Sequence, residues 1–345
     1  MTLPGSMNAL ILKDNGFAAT REGAAIETLE PYLEYGSLPV PKPGPGQVLV
    51  KIRMASVNPS DLYFIKGEYG QPRVKGAPAG FEGVGDVVDG QGLYARYLKG
   101  KRVAFVGGVS GSGAWAEYIV VPAATCVVIK PAMRDEDAAG HVVNPVTAWT
   151  MFDIVRKSGS KSFVFTAAFS QLGKLRAGIA RDNGYAMIAI IRKESQAAHL
   201  TELGAKHVLV QSDPEFASKL AALCKTEKPR ILLDAVANQI AADIFMAMPA
   251  RARWIIYGRL GTEAPCISEP GQFIFMDKKI EGYWLTKWFK HASIIEKMKT
   301  LRAVQDRFIT GAWKTEVVAT VKLADAMQEL PKALKIGDGK VMIVP

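Results

Sequence analysis

Along the first 140 residues or so, apolar positions come in short runs cut by glycine and proline. Residues 48–52, Val-Leu-Val-Lys-Ile, follow a proline- and glycine-rich stretch at 39–46, and further runs at 85–88, 102–106 and 118–121 are set apart by glycine clusters. Such runs between breakers predict strands and turns in a small, irregular β domain. The first strand-like run begins at Met7, and residues 2–6 read as a leader before it. Near residue 140 the rhythm changes. Apolar runs at 163–165, 186–191, 207–210, 231–235 and 254–257 now alternate with helical patterns at about 172–181, 196–203, 215–224 and 239–246. Strands alternating with helices predict a parallel, doubly wound sheet, an α/β architecture. After Trp284 a long helix over about 291–309 precedes strand-like tails at 316–322 and 340–344, which are expected to return to the first domain. The predicted division is 1–143, 144–284 and 285–345.

At 345 residues the chain has length for about two domains and a core that needs no metal or disulfide staple. A composition 49% hydrophobic and 22% charged excludes wholesale disorder. The cysteines Cys126, Cys224 and Cys266 are too scattered for a zinc ribbon, a CxxC pair or a disulfide framework, which fits a reducing, cytoplasmic setting. No uncharged apolar run approaches the roughly 18 residues of a membrane span, and the N-terminus lacks a signal-peptide pattern. The net charge of +10 has no basic block behind it. It reads first as a bland surface, second as a sign of a phosphate-bearing ligand, and only distantly as nucleic-acid binding.

Candidate chemistry concentrates after the strand at 163–165. In Thr166-Ala167-Ala168-Phe169-Ser170-Gln171-Leu172-Gly173, the positions of a GxGxxG phosphate loop are filled by Ala168, Ser170 and Gly173. Small residues there still let backbone amides approach a pyrophosphate, and Gly173 keeps the place where helix and strand pack closely. A plain strand-to-helix turn is the competing reading. The next strand ends at Ile191 and is followed by Arg192-Lys193. An NAD site would carry Asp or Glu here for the ribose 2′-hydroxyl, whereas guanidinium and ammonium groups pair with a 2′-phosphate. The pair therefore points to NADPH, with a solvated loop as the alternative.

Several further segments, in order, resemble the medium-chain dehydrogenase/reductase superfamily over nearly the whole chain. They are Val57-Asn58-Pro59-Ser60-Asp61 with Gly67-Glu68-Tyr69-Gly70, Gly80-Phe81-Glu82-Gly83-Val84-Gly85, Gly100-Lys101-Arg102-Val103-Ala104, Gly113-Ala114-Trp115-Ala116-Glu117-Tyr118, and Asn144-Pro145-Val146-Thr147-Ala148-Trp149. The resemblance implies a GroES-like, β-rich catalytic domain joined to a Rossmann-type dinucleotide-binding domain. It also carries two departures. The family's zinc enzymes place Cys where Asn58 stands and His where Phe81 stands, and Glu82 alone cannot hold zinc, so no metal site is expected. The resemblance then narrows to the zinc-free NADPH:quinone reductases and 2-enoyl thioester reductases. Ile280-Glu281-Gly282-Tyr283-Trp284-Leu285 is similar to the latter, and Tyr257-Gly258-Arg259-Leu260-Gly261 resembles the loop against the nicotinamide.

Without a metal, charge developing on a substrate oxygen needs a hydrogen-bond or proton donor. The resemblance makes Tyr69 that donor, although a tyrosine packing its ring with a wet hydroxyl would look the same in sequence. Asn58 and Thr147 could orient a carboxamide or substrate, or could be turn and cap residues. Lys340 resembles a cofactor-side residue and could equally be a surface lysine. Trp149, Trp284, Trp288 and Phe289 could line an apolar cleft or a core, and residues 283–285 could pair with a second subunit, as in the family's dimers. The expected function is NADPH-dependent hydride transfer to a quinone, an enone or an enoyl thioester, with no nucleic-acid or membrane partner. The alternative is a dinucleotide-binding sensor without turnover, or an RNA-binding relative like some lens crystallins.

Overall fold

The computed structural model describes residues 3–19, 21–107 and 112–345, so Thr2 of the expected leader lies outside the described residues. Contacts divide the chain into two compact units, 1–143 with 301–345, and 144–300. This division groups residues 285–300 with the second unit, where a return from 285 was expected.

The first unit opens with β1 (Ser6–Leu12) antiparallel to β2 (Leu33–Pro39). It continues through β3 (Gln47–Val57), α1 (Pro59–Ile65), β4 (Glu82–Gly90), α2 (Leu93–Leu98), β5 (Arg102–Val106), β6 (Tyr118–Pro122), β7 (Val127–Val128) and α3 (Asp135–Ala139). β3 and β4 run so close that a Cβ on Gly85 would lie 2.2 Å from the Lys51 carbonyl oxygen, so only glycine serves there.

The second unit begins with α4 (Val143–Arg156), whose first residue lies at the division. It alternates β8 (Ser162–Phe165), α5 (Gln171–Asp182), β9 (Ala186–Ile191), α6 (Ala197–Leu203), β10 (His207–Val210), α7 (Phe216–Glu227), β11 (Ile231–Asp234), α8 (Gln239–Ala247) and β12 (Arg253–Ile256). Then come α9 (Gly271–Phe275), β13 (Lys279–Gly282), α10 (Leu285–His291) and α11 (Ile294–Ile309), the last crossing back into the first unit. The six strands are all parallel in the order β10-β9-β8-β11-β12-β13. The order reverses between β8 and β11, and a ligand crevice in such sheets lies beyond the strand C-termini at that point.

The chain ends in β14 (Val317–Lys322), α12 (Ala326–Ile336) and β15 (Lys340–Val344). β15 adds antiparallel to β3, pairing Val341 with Val57 and Met342 with Ser56, and completes the sheet β14-β15-β3-β4-β5-β7, to which β6 joins through β3. Residues 283–285 are not a strand, because β13 stops at Gly282 and α10 starts at Leu285.

His141 is fully buried against the Phe308 ring, and neither ring nitrogen has a hydrogen-bond partner among the described residues. Burial outweighs the nearby Asp137 charge and lowers its pKa from 6.5 to about 4. Asp137 meanwhile accepts from Arg134 and from the Thr315 amide, each at 2.7 Å. The unfolded chain thus binds the proton more tightly than the folded one. Stability is full above about pH 6.5 and falls as pH drops towards 4, by at most roughly 3 kcal/mol. His141→Leu should flatten this limb of a denaturant-midpoint profile, and an unchanged slope would mean that the imidazole is hydrated.

Candidate functional site

In the first unit, three ionisable groups meet below the surface. Asp61, Glu82 and Lys340 are 0%, 1% and 5% exposed, so each must find its partners inside the protein. Glu82, at the start of β4, accepts from Ser56 Oγ (2.8 Å) and Asn58 Nδ2 (2.9 Å) on one oxygen. Its other oxygen accepts from the Val142 and Val143 amides (3.1 and 2.8 Å). Lys340, at the start of β15, donates to the Val57 carbonyl (2.8 Å) and to Asn58 Oδ1 (2.5 Å). Asp61, in the first turn of α1, reaches back to the Asn58 amide and across to the Phe81 amide, both at 2.8 Å. Burial raises its pKa to about 7 against the pull of these amides, and burial likewise lowers that of Lys340. The Lys340 ammonium donates to neither carboxylate, but its charge reaches both, pulling the Asp61 pKa down while the Glu82 charge pushes it up.

This geometry revises one expectation, since Lys340 is not a surface lysine. Asn58, 2% exposed, gives its amide hydrogens to Glu82 and Ser56 and its carbonyl oxygen to Lys340. Tyr69 is different. It is half-buried beyond α1, with its ring 5.2 Å from the Phe81 ring, which in turn sits 4.9 Å from Phe64. The Phe81 contact braces its ring.

In the second unit, the loop after β8 passes through Ala167 at φ 47°, the left-handed region, and turns into α5. Ser170 caps that helix, its hydroxyl accepting from the Gly173 amide at 3.2 Å. A Cβ on Gly173 would sit 2.1 Å from the Ala168 carbonyl oxygen, so the glycine is obligatory. Gln171 and Leu172 supply the first amides of α5, groups that face outward from a helix N-terminus and favour anions. Ala168 is a correction. It is fully buried and its amide donates to the Ile190 carbonyl at 3.1 Å, so that amide serves the sheet and not a phosphate. Arg192 and Lys193 leave the end of β9 exposed, with no ion-pair partner among the described residues.

The opposite wall of the crevice is fixed by Asp234 at the end of β11. This buried carboxylate accepts from Thr166 Oγ1, from Trp254 Nε1 (2.8 Å) and from the Val236 and Ala237 amides (both 2.9 Å). The segment 257–261 lies along it, with the Tyr257, Leu260 and Gly261 amides donating to the carbonyls of Asp234, Ala235 and Val236. A Cβ on Gly258 would come 3.0 Å from the Ala235 oxygen. The Tyr257 hydroxyl is buried, and burial raises its pKa above the ordinary phenol value. Thr147 is buried in α4, one turn before Thr150, whose hydroxyl meets the Tyr283 hydroxyl at 2.5 Å. Thus 166–173, 192–193 and 257–258 belong to one edge of one sheet, whereas Asn58, Tyr69 and Lys340 belong to the other unit. The Asn58-x-x-Asp61 spacing of a helix start could have revealed Asp61. For Thr166 with Asp234, two strand ends distant in sequence, there was no local signal.

A parallel sheet in this order, with a capped helix N-terminus at its switch point, together with a β-rich unit completed by the C-terminal strand, defines a two-part dinucleotide-dependent dehydrogenase or reductase. Comparisons with known proteins agree. Residues 44–131 match the alcohol dehydrogenase GroES-like domain, and 172–302 match the zinc-binding dehydrogenase family. A Mesorhizobium loti protein, described provisionally as an NADPH:quinone reductase, is 51% identical over 100% of both chains with a TM-score of 0.96. The mitochondrial enoyl-[acyl-carrier-protein] reductase of Bos taurus is 26% identical over 85% of this chain and 79% of its own. An enoyl thioester reductase from Candida tropicalis shares the fold at 20% identity, with a TM-score of 0.80 over 99% of this chain and 100% of its own. The chain belongs to the medium-chain dehydrogenase/reductase superfamily, in the branch of quinone and 2-enoyl thioester reductases.

The zinc in that second family's description does not fit the residues present. Phe81 places a hydrocarbon ring at the site, the Asn58 amide and both Glu82 oxygens are engaged, and no cluster of three His, Cys, Asp or Glu suited to a metal occurs among the described residues. No helix among them is long and apolar enough to cross a membrane.

Proposed function

We propose that this protein is a zinc-independent, NADPH-dependent reductase that acts on a quinone or on an α,β-unsaturated carbonyl or enoyl thioester. The observation that carries the cofactor choice is the exposed pair Arg192 and Lys193, unpaired by any carboxylate among the described residues, at the end of β9. The amides of Gln171 and Leu172 and the Ser170 cap at the α5 N-terminus would hold the pyrophosphate of NADPH, with Gly173 allowing the approach. Arg192 and Lys193 would hold the 2′-phosphate, and the 257–258 backbone, pinned to the end of β11, would border the site. When bound, the cofactor supplies the hydride. This chain supplies the proton donor, a role we give to the Tyr69 hydroxyl, whose ring is braced on Phe81. The half-identical Mesorhizobium relative supports the quinone side of the reading, and the enoyl reductases support the other.

The protein also forms a homodimer on this reading. β13 is an edge strand with Ile280 41% exposed, and Ile274 and Phe275 of the preceding α9 are 76% and 86% exposed, an apolar edge of the kind that a second copy covers. Light scattering in solution should give twice the chain mass, and a monomer at micromolar concentration would overturn the assignment.

NADPH oxidation with a panel of quinones, enals and enoyl thioesters tests the reading as a whole. Tyr69→Phe should lower enone turnover by about one to three orders of magnitude without moving NADPH affinity. Unchanged turnover would leave Tyr69 a packing residue.

A single charge-assisted hydrogen bond contributes roughly 1.5–3 kcal/mol. Arg192→Ala should therefore raise the NADPH dissociation constant about ten- to a hundredfold and leave that for NADH nearly unchanged. Equal losses for both cofactors would show that Arg192 does not read the 2′-phosphate.

A further inference from the structure

Two turns into α5 stands a charge that this mechanism does not use. Arg176 is fully buried, and none of its guanidinium nitrogens has a hydrogen-bond partner among the described residues. Its guanidinium carbon lies 5.8, 5.9 and 6.0 Å from the ring centroids of Phe152, Phe163 and Phe165, on α4 and β8. Asp153, the carboxylate whose charge reaches it, is bridged to Arg156. The Tyr257 hydroxyl, also buried and without a partner among the described residues, is held neutral by its raised pKa and provides no counter-charge.

An arginine in the core is normally matched by a carboxylate, which cancels its field a few ångströms away. Aromatic faces act differently. Their quadrupoles stabilise the cation at close range, but their own field dies away steeply, so the positive monopole survives at longer range. Burial pulls the guanidinium pKa down to about 9, which still leaves the group charged at neutral pH. At about 1.5 Å per residue, Arg176 stands about 9 Å along the helix axis from the Ser170 cap. Of the residues between them on the helix, Leu172 and Leu175 are buried and apolar, and Lys174 is buried with its ammonium 4.2 Å from the Phe169 ring centroid, so water screens this region poorly. The loop above has lost the Ala168 amide to the sheet and carries alanine and serine where glycine would expose more backbone.

We infer that Arg176 is a buried, uncancelled charge beneath the phosphate loop that strengthens binding of the dinucleotide pyrophosphate, to the same degree for NADPH and NADH. The inference rests on the dinucleotide reading of that loop. It separates two tasks: Arg176 raises affinity for any dinucleotide without touching it, and Arg192 chooses between them by contact.

The test is the dissociation constant of NADPH and of NADH, measured by quenching of tryptophan fluorescence at low and high salt, for wild type, Arg176→Met, Arg176→Lys and Arg192→Ala. Arg176→Met should weaken both cofactors by the same factor, roughly five- to twentyfold, and nearly equally at both salt levels, because the charge is buried. Its melting temperature should be unchanged or higher, as apolar replacements of buried charges often are. Arg176→Lys should recover most of the affinity, while Arg192→Ala should affect NADPH alone. A folded Arg176→Met protein with wild-type affinities would overturn the inference, as would a loss that Arg176→Lys does not recover. So would a bromide ion seated against the guanidinium in a crystal grown from bromide, since that ion would cancel the field. If wild type bound neither dinucleotide, the cofactor reading itself would fall, and this inference with it.

Discussion

A carboxylate taken out of water must be met by donors on every side, and in the first unit Glu82 is the group that makes this demand. Its two oxygens collect Ser56 from β3, Asn58 from the start of α1, and the successive amides of Val142 and Val143. Asn58 can give its amide hydrogens to Glu82 only because its carbonyl is turned to Lys340, and Lys340 can reach it only because β15 lies antiparallel to β3 with Val341 opposite Val57. The C-terminal strand is therefore tied into the N-terminal sheet by a buried ammonium as well as by its ladder. Removing one member of such a buried set leaves the others uncompensated, at a cost of about 3–5 kcal/mol. The same engagement explains why these residues make a poor metal site, since every donor a cation would want is already committed to the protein.

Much of this was legible in the sequence, and the reasons differ by element. The alternating unit was clear because both faces of its sheet are covered, so strands such as 186–191 read as solid apolar runs between amphipathic helices. β2 was missed because most of Leu33–Pro39 is at least partly exposed and its pattern carries little apolar signal. α12 was missed because Pro331 sits inside it and reads as a breaker, although the helix buries Leu330, Pro331 and Ala333 on one side. The segment 283–285, with its aromatic pair Tyr283-Trp284, has strand-like composition but follows β13 where the chain is already turning into α10.

The candidate sites divide along the same line. A capped helix start and a basic pair after a strand are local patterns, so Ser170, Gly173, Arg192 and Lys193 could be found by reading along the chain. The fate of the Ala168 amide could not, because its acceptor is the Ile190 carbonyl on a neighbouring strand. Nor could the depth of Lys340 and Arg176. Both residue types are so commonly at the surface that sequence alone argues for exposure, and only the packing of β15 on β3 or of α5 on β8 reverses it.

These cations show that environment, not residue type, sets what a positive charge does. Lys340 is buried where the charges of two carboxylates reach it, so much of its field is cancelled nearby. Arg192 and Lys193 stand in water, where their fields are screened within a Debye length, so they can act only on a group that touches them, which makes them suited to telling one cofactor from another. Arg176 is buried with no carboxylate partner among the described residues, an arrangement in which a charge acts at a distance and without discrimination. A loop that gives up one phosphate-facing amide to its own sheet can tolerate the loss if a long-range field lies beneath it. A replacement of Ala168 by glycine would not restore the amide, because the bond to Ile190 is made by the backbone. In this chain the engagement of the Ala168 amide is thus a property of how β8 and β9 are joined, and on the proposed reading it would be met from the core side of α5, where charge is screened least.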